Sequence, residues 1–454
     1  MAVAAEERRE LPPGPRGRRL RHLGKRFRDT AGLFEELQES YGDIVRYELP
    51  GRSFCVVSDA DLMREILVVK RASFAKSDIG KGVMRLPTIL TGDGEEHARR
   101  RKLMHPSFNK RQADWFGEVV VRNAATRQRL HSSGQTIDLK KEMHLLALDI
   151  ACEAFFGDDT PANPGLIDAV LATQKWKVVR ALLPMSKLIT LLPLPANFRA
   201  HRTLAEMDAV FDKAIAAARQ AGPGIRYDVV SVLVHAQDEE GEERSFTDEE
   251  VREDAYVLLF AGHETCANAL TWCFSRILRQ PEVLQRLEAE LDDVSGGAPL
   301  QAEDVARLPY TRAVFAEALR LMPPIHYVSR RATEDCTIGG YFIPRDTVMQ
   351  CAIRVLHMNR RHFPHPREFR PERWLEDRPS HPKNAYLPFG SGPRICIGRE
   401  LALVQGPLVL AGVLGKWRLH LAQTSGFDEA RSMALYEYGS TLLATLEERD
   451  HARQ

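Results

Sequence analysis

Charge of one sign is what this 454-residue sequence has least of: 63 Lys and Arg stand against 62 Asp and Glu, a formal net charge of +1. Without a surplus of cations massed in a tail or stripe there is no drive toward a polyanion, and nucleic-acid binding is not expected. A long apolar run is missing from the N-terminus. MAVAAEERRELPPGPRGRRLRHLGKRF holds no core fit for a signal peptide and nothing near the roughly 20 residues of a membrane-spanning helix, so no transmembrane segment is expected. The basic cluster from Arg16 to Arg28 leaves a weak attraction to a membrane surface open. Cysteine is scarce and unpaired in pattern. The seven, at 55, 152, 266, 273, 336, 351 and 396, are odd in number and irregular in spacing, which fits no secreted disulfide framework and points to a reducing compartment. No C-x-x-C or Cys/His pair marks a zinc site, and there is neither an internal repeat nor a low-complexity tract.

What the chain does carry is one cysteine in an unusual frame. Residues Phe389 to Gly398 read FGSGPRICIG, with Cys396 between two isoleucines. Glycines at 390, 392 and 398 permit positive φ and bring backbone N–H groups toward one point, which suits a buried anionic sulfur. From Arg399 the pattern predicts an apolar helix, so Cys396 sits at a helix N-terminus, where the dipole favours thiolate over thiol. A lone cysteine is ordinarily buried and inert; the glycine frame argues against that here. With no second thiol or histidine at ligand spacing, a metal at Cys396 must bring its other ligands with it, as haem does.

Phe389, Gly392, Arg394, Cys396 and Gly398 match F-x-x-G-x-R-x-C-x-G, and on that match the chain resembles the cytochrome P450 family from about residue 12 onward. The resemblance implies a mainly α-helical fold with a smaller β-rich region. It replaces the three or so domains that length alone suggests with a single catalytic domain, residues 29–454, behind a basic, proline-rich segment, residues 1–28. It implies haem b with Cys396 as the axial thiolate, a ligand that pushes electron density onto iron and favours O–O cleavage. Because the hinge-like Pro12, Pro13 and Pro15 arrive almost at once, the chain is similar to the bacterial type, expected to be cytoplasmic and monomeric.

Further segments extend the match. IVRYELPGRSFCVVS reads as a hairpin about Pro50-Gly51, and CTIGGYFIPRDTVMQCAI as later strands about Gly339 and Gly340. In the family such segments, here about 44–58 and 336–353, join one sheet. GEEHARRRKLMHPSF predicts a basic helix with His97 and Arg101 on one face; alone it reads as a solvated cationic helix, whereas the resemblance gives His97 and Arg101 to the haem propionates. Arg99, Arg100 and Lys102 are then expected to point elsewhere, toward an electron donor. Arg330, in preference to Arg331, and Arg394 are the other propionate candidates that the resemblance supplies. Glu317 and Arg320, three apart on a helix, are by themselves an ordinary ion pair; followed by Arg373 in FRPERW they resemble the family's structural brace.

Thr247 with Glu250 three residues on is a capping box that opens a helix apolar nearly all round. Within it Ala261 and Gly262 leave room for a flat ligand, and Glu264 and Thr265 place an acid beside an alcohol where a helix interior prefers neither. AGHET alone could be a packing patch; beside Cys396 it resembles the family's oxygen-activation motif. Cys266 and Cys273 are expected to be buried and inert. Leu204, Met207, Phe211 and Ile215 fall on one helix face as core, and the looser apolar run near Trp176 resembles a mobile cover over an apolar substrate channel. His326 reads as a hydrogen-bonded pocket or core residue, a polar contact for substrate at most.

The function so implied is monooxygenation of an apolar small molecule, a fatty acid, terpenoid, steroid or macrolide. Electrons are expected from a separate ferredoxin or flavodoxin, since no flavin or iron–sulfur segment follows the cysteine loop. A peroxide-driven peroxygenase or isomerase would not need the Glu264-Thr265 pair, and a haem sensor or docking module would keep haem without turnover, which the presence of both AGHET and the cysteine loop argues against.

Overall fold

The computed structural model describes residues 10–15, 29–49, 51–77, 86–108, 110–157, 195–236, 245–296, 298, 300–375, 381–422, 429–431 and 436–449. The Arg16–Arg28 cluster, Pro50, and Trp176 with the apolar run from Leu182 to Leu194 lie outside them. The chain forms two compact units, each stitched from three segments: Met1–Ser77, Ala316–Cys396 and Phe427–Ser440 in one, Asp78–Phe315, Ile397–Gly426 and Thr441–Gln454 in the other.

The first unit is built on a five-stranded sheet. Strands Ile44–Leu49 and Arg52–Val57 pair antiparallel as the expected hairpin, Ile44 opposite Val57 and Leu49 opposite Arg52. The second then pairs parallel with Val348–Cys351, Phe54 opposite Val348, so the two distant segments do join one sheet. Val348–Cys351 is buried at every position, as a central strand with both faces covered must be. Its one polar residue, Gln350, accepts the Tyr47 hydroxyl at 2.7 Å. The order closes with Val328–Ala332 and Phe74–Lys76, neither anticipated from sequence. Cys336–Ile338 and Tyr341–Ile343 do not enter this sheet; they pair with each other across Gly339-Gly340. One face is covered by the helix Thr30–Tyr41 through Leu33, Phe34 and Leu37, and the other packs Met63, Ile66 and Leu67 against Met349 and Cys351.

The second unit is helical. Its longest helix, Asp248–Ile277, opens with the predicted Thr247–Glu250 box and is buried along most of its length, packed against Leu139–Phe156. Arg399–Lys416 lies on Lys110–Gln128. In Pro195–Ala221, Met207, Phe211 and Ile215 are buried and Leu204 half-buried, the face the 3.6-residue period predicts. A three-stranded sheet, Thr136–Asp138, Leu443–Glu448 and Trp417–Leu421, completes the unit. Among the described residues no helix is long and apolar enough to cross a membrane.

Candidate active site

In the first unit the cysteine loop is a tight fold of backbone. Gly390 and Gly392 both adopt φ 73, and a Cβ on Gly392 would fall 2.1 Å from the Leu67 carbonyl oxygen. Only glycine permits that approach. A short 3-10 turn, Gly392–Arg394, follows, and Cys396 N–H donates to the Phe389 carbonyl at 2.9 Å. Phe389 and Arg394 are half-buried. Among the described residues Cys396 is the exposed cysteine. Burial pushes the thiols of Cys55, Cys152 and Cys351 up to about 12, and that of Cys273 further. Cys266, expected to be buried, is half-buried, because it shares the open face of its helix.

Behind the loop Glu317 anchors a buried network. Its carboxylate accepts Arg320 at 2.8 and 2.9 Å, Arg373 Nε at 3.0 Å, Trp374 Nε1 at 2.9 Å and the Arg370 backbone N–H at 2.9 Å. Arg320 spends its other donors on the carbonyls of His357, Pro366 and Glu368. With Glu317 and Arg320 both 0% exposed, this is no surface ion pair: one buried carboxylate is shared by two guanidinium groups, and nearly every donor is used. Arg330 is also turned in, buried and donating to the Ser329 carbonyl at 2.9 Å, while Arg331 pairs with exposed Asp346 at 2.8 Å. His326 is buried, with Tyr327 edge-on to its ring at 4.9 Å.

In the second unit His97 is buried and Arg101 half-buried on the helix Gly94–Met104. Arg99 and Arg100 correct the expectation that they face a partner. Arg100, 2% exposed, pairs with Glu96, Glu250 and Asp254, and Arg99 pairs with Glu96 and Glu250. Burial pushes the Asp254 carboxyl up to about 6 against the pull of Arg100. Lys102 alone of the three is exposed.

The Asp248–Ile277 helix is buried along most of its length, and in its middle Phe260, Ala261, Gly262, Thr265 and Cys266 are half-exposed. Gly262 keeps that stretch flat: among the described residues a Cβ there would meet only the Phe155 ring, at 3.9 Å. Thr265 Oγ1 donates to the Ala261 carbonyl at 2.6 Å, the intrahelical bond of an ordinary mid-helix threonine, which leaves its lone pairs free to accept. Glu264 turns toward the Leu139–Phe156 helix, its Oε1 3.6 Å from His144 Nε2 and 3.2 Å from Asn268 Nδ2. Burial works against its ionisation, but the His144 contact overcomes that and holds the carboxyl below its usual range. His144 and Asn268 carried no signal in the sequence beyond being polar residues on apolar helices.

In the first unit an accessible thiol framed by glycines is what a thiolate-ligated cofactor requires; in the second, a half-exposed, glycine-bearing helix middle beside an acid and an alcohol suits a planar one, and each by itself fits haem. The cytochrome P450 family model matches residues 12–435, and the chain belongs to the cytochrome P450 family. It is therefore an oxidoreductase, a monooxygenase of a family that binds haem b through a cysteine thiolate, receives electrons from a redox partner and acts on apolar molecules. Cyclooctatin synthase of Streptomyces melanosporofaciens is 33% identical over 84% of this chain and 83% of its own length. Cyclooctat-9-en-7-ol 5-monooxygenase of the same organism is 30% identical over the same shares, and pentalenene oxygenase of Streptomyces avermitilis 28% identical over 84% and 85%. The solved structure of retinoic acid bound cyanobacterial CYP120A1 superposes with a TM-score of 0.83 over 97% of this chain and all of that one, at 22% identity, and so shares the fold.

Proposed function

We propose that this chain hydroxylates a terpenoid, with Cys396 as the iron ligand. The single observation that carries the ligand assignment is the Cys396 thiol, exposed in a glycine-framed loop while burial pushes five of the other six thiols upward. When bound, haem supplies the redox chemistry by which one atom of O2 enters the substrate and the other leaves as water. The chain's own residues bind, orient and supply protons. Phe389 and Arg394 frame the sulfur loop, and His97, Arg101, Arg330 and Arg394 are the propionate partners, each charge-assisted bond contributing roughly 1.5 to 3 kcal/mol. Ala261 and Gly262 leave the helix face clear for the flat group. Thr265 Oγ1, its own proton on Ala261, accepts a hydrogen bond from water, and Glu264 is the acid that keeps that water supplied with protons.

The terpenoid assignment draws support from relatives named for oxidising cyclooctat-9-en-7-ol and pentalenene. We assign the electrons to a small acidic ferredoxin or flavodoxin, met in part by exposed Lys102, and the enzyme to the cytoplasm as a monomer. A panel of cyclic terpenes, fatty acids, steroids and macrolides, titrated while the haem Soret band is followed, tests the substrate class: terpenes should shift it at the lowest concentration, and a tighter shift by a fatty acid overturns the class. Cys396→Ser should lose the thiolate-type spectrum of the reduced carbon monoxide complex; an unchanged spectrum overturns the ligand.

A further inference from the structure

Beside Glu264, the helices Leu139–Phe156 and Asp248–Ile277 bring two histidines to one carboxylate. His144 Nδ1 lies 2.9 Å from the Lys140 carbonyl, which can only accept, so Nδ1 carries hydrogen. That leaves Nε2, 3.6 Å from Glu264 Oε1, as the atom that gains or loses a proton. A bare Nε2 facing an ionised carboxylate sets lone pair against lone pair, so the contact is favourable only while one proton sits on one of the two atoms. His263 cannot supply it. Its Nε2 donates to the His144 carbonyl at 3.2 Å, leaving a bare Nδ1 3.8 Å from Glu264 Oε2, and burial pushes its pKa down to about 4. Asn268 donates to the Glu264 backbone carbonyl at 2.9 Å and to Oε1, fixing the carboxylate from its own helix. The His144 side chain is 23% exposed against 12% for Glu264, so the imidazole is the end that solvent reaches.

We propose that His144 is a positioning residue that holds the Glu264 carboxylate and recharges it with protons, resting as this does on Glu264 being the acid of the acid–alcohol pair. The step is a proton transfer alone: N–H breaks at His144 Nε2, O–H forms at Glu264 Oε1, the imidazole is left neutral, and water returns a proton to Nε2. The surrounding charges are few. Lys140, on the same helix, opposes the imidazolium, and from the facing helix come only Glu264 and His263. On Lys110–Gln128, Arg122 is turned to Glu153 and Arg127 to Glu142 and Asp149. Val229–Val234 brings no charge, and Asp228 at its start is held by Arg226. Burial disfavours the His144 imidazolium, but the Glu264 carboxylate more than offsets it, so the ring titrates above its usual range.

The test is made on the holoenzyme. In the diamagnetic reduced carbon monoxide complex with isotope-labelled histidine, the resonance missing from His144→Gln should titrate above free imidazole and move to lower pH in Glu264→Gln. A midpoint at or below free imidazole, or one indifferent to Glu264→Gln, overturns the proposal whether or not the variants turn over. In turnover, product per reductant in the wild type should fall as pH rises through that midpoint. His144→Gln, with an unchanged Soret response to substrate, should lose this limb and yield roughly tenfold less product per reductant. A His144→Gln profile that keeps the wild-type limb overturns the role of His144 while leaving Glu264 in place. Unchanged coupling in Glu264→Gln overturns the reading of Glu264, and the proposal with it.

Discussion

His357 accepts the backbone N–H of Leu387 at Nε2, 2.9 Å away, while its Nδ1 donates to the Arg320 carbonyl at 3.0 Å. The two bonds tie the buried Glu317–Arg320 brace to the strand of backbone that runs into the cysteine loop two residues later, at Phe389. They also fix the ring as one neutral tautomer, since a proton on Nε2 would face the Leu387 N–H. Burial, reinforced by the Arg320 guanidinium, pushes the His357 pKa down to about 3.

An acid-dependent stability follows. The folded pKa lies below the ordinary histidine value of 6.5, so this contribution is fully present above about pH 6.5 and is lost as pH falls from there toward about 3. His357→Gln can accept from Leu387 but does not titrate. The wild type should be the more stable at pH 7, by about 1 to 3 kcal/mol, and the gap should narrow by about 1.4 kcal/mol for each pH unit below 6.5. Denaturant midpoints of both proteins at pH 7, 6 and 5 check this; a gap indifferent to pH would count against it.

Glu317→Gln should cost roughly 3 to 5 kcal/mol, because it strands two buried guanidinium groups, Arg320 and Arg373, without a counter-charge. The exposed pair Arg202–Glu206 supplies the contrast: Arg202→Ala should change stability by less than about 1 kcal/mol. Unfolding curves of the two variants side by side decide it, and equal losses would remove the brace.

Gly390 and Gly392 have the same φ of 73 and opposite surroundings: open space at the first, the Leu67 carbonyl 2.1 Å from a would-be Cβ at the second. Gly390→Ala should cost about 1 to 2 kcal/mol and keep its haem. Gly392→Ala cannot keep the loop where it is, and should be purified with markedly less haem and a weakened thiolate-type spectrum. Equal haem content in the two variants would show that the Leu67 contact does not govern the loop.

Thr265→Ala removes a hydroxyl whose own proton is already spent inside its helix. Stability should change by no more than about 1 kcal/mol, and substrate should still bind. Product per reductant should fall and hydrogen peroxide rise, because a positioned proton relay is typically worth about 10² to 10⁴ in rate. An unchanged ratio of product to peroxide would leave Thr265 as a helix residue and nothing more.

Local patterns were the legible ones. The Thr247–Glu250 box, the 30-residue helix it opens, the Ile44–Val57 hairpin and the Met207–Phe211–Ile215 face all announce themselves within a few residues, where period and capping chemistry act. Arg99 and Arg100 were misread as outward cations because the carboxylates that bury Arg100, Glu250 and Asp254, stand 150 and 154 residues away. Thr136–Asp138 has three residues, too few for an alternation to show. The His144–Glu264 contact exists only because two helices cross there, which no spacing within either helix encodes.

The central sheet also sets a schedule for synthesis. The hydroxyl of Tyr47 bonds a glutamine 303 residues further along, and the strand beside it waits equally long for its parallel neighbour. At translation rates of about 5 to 20 residues per second, that interval is roughly 15 to 60 s. For that time the hairpin Ile44–Val57 is a newborn ribbon with an apolar edge and no partner. Ribosome-bound chains stalled before Val348 should therefore be captured by chaperones and cut by proteases at this hairpin, and chains stalled well after Cys351 should be spared.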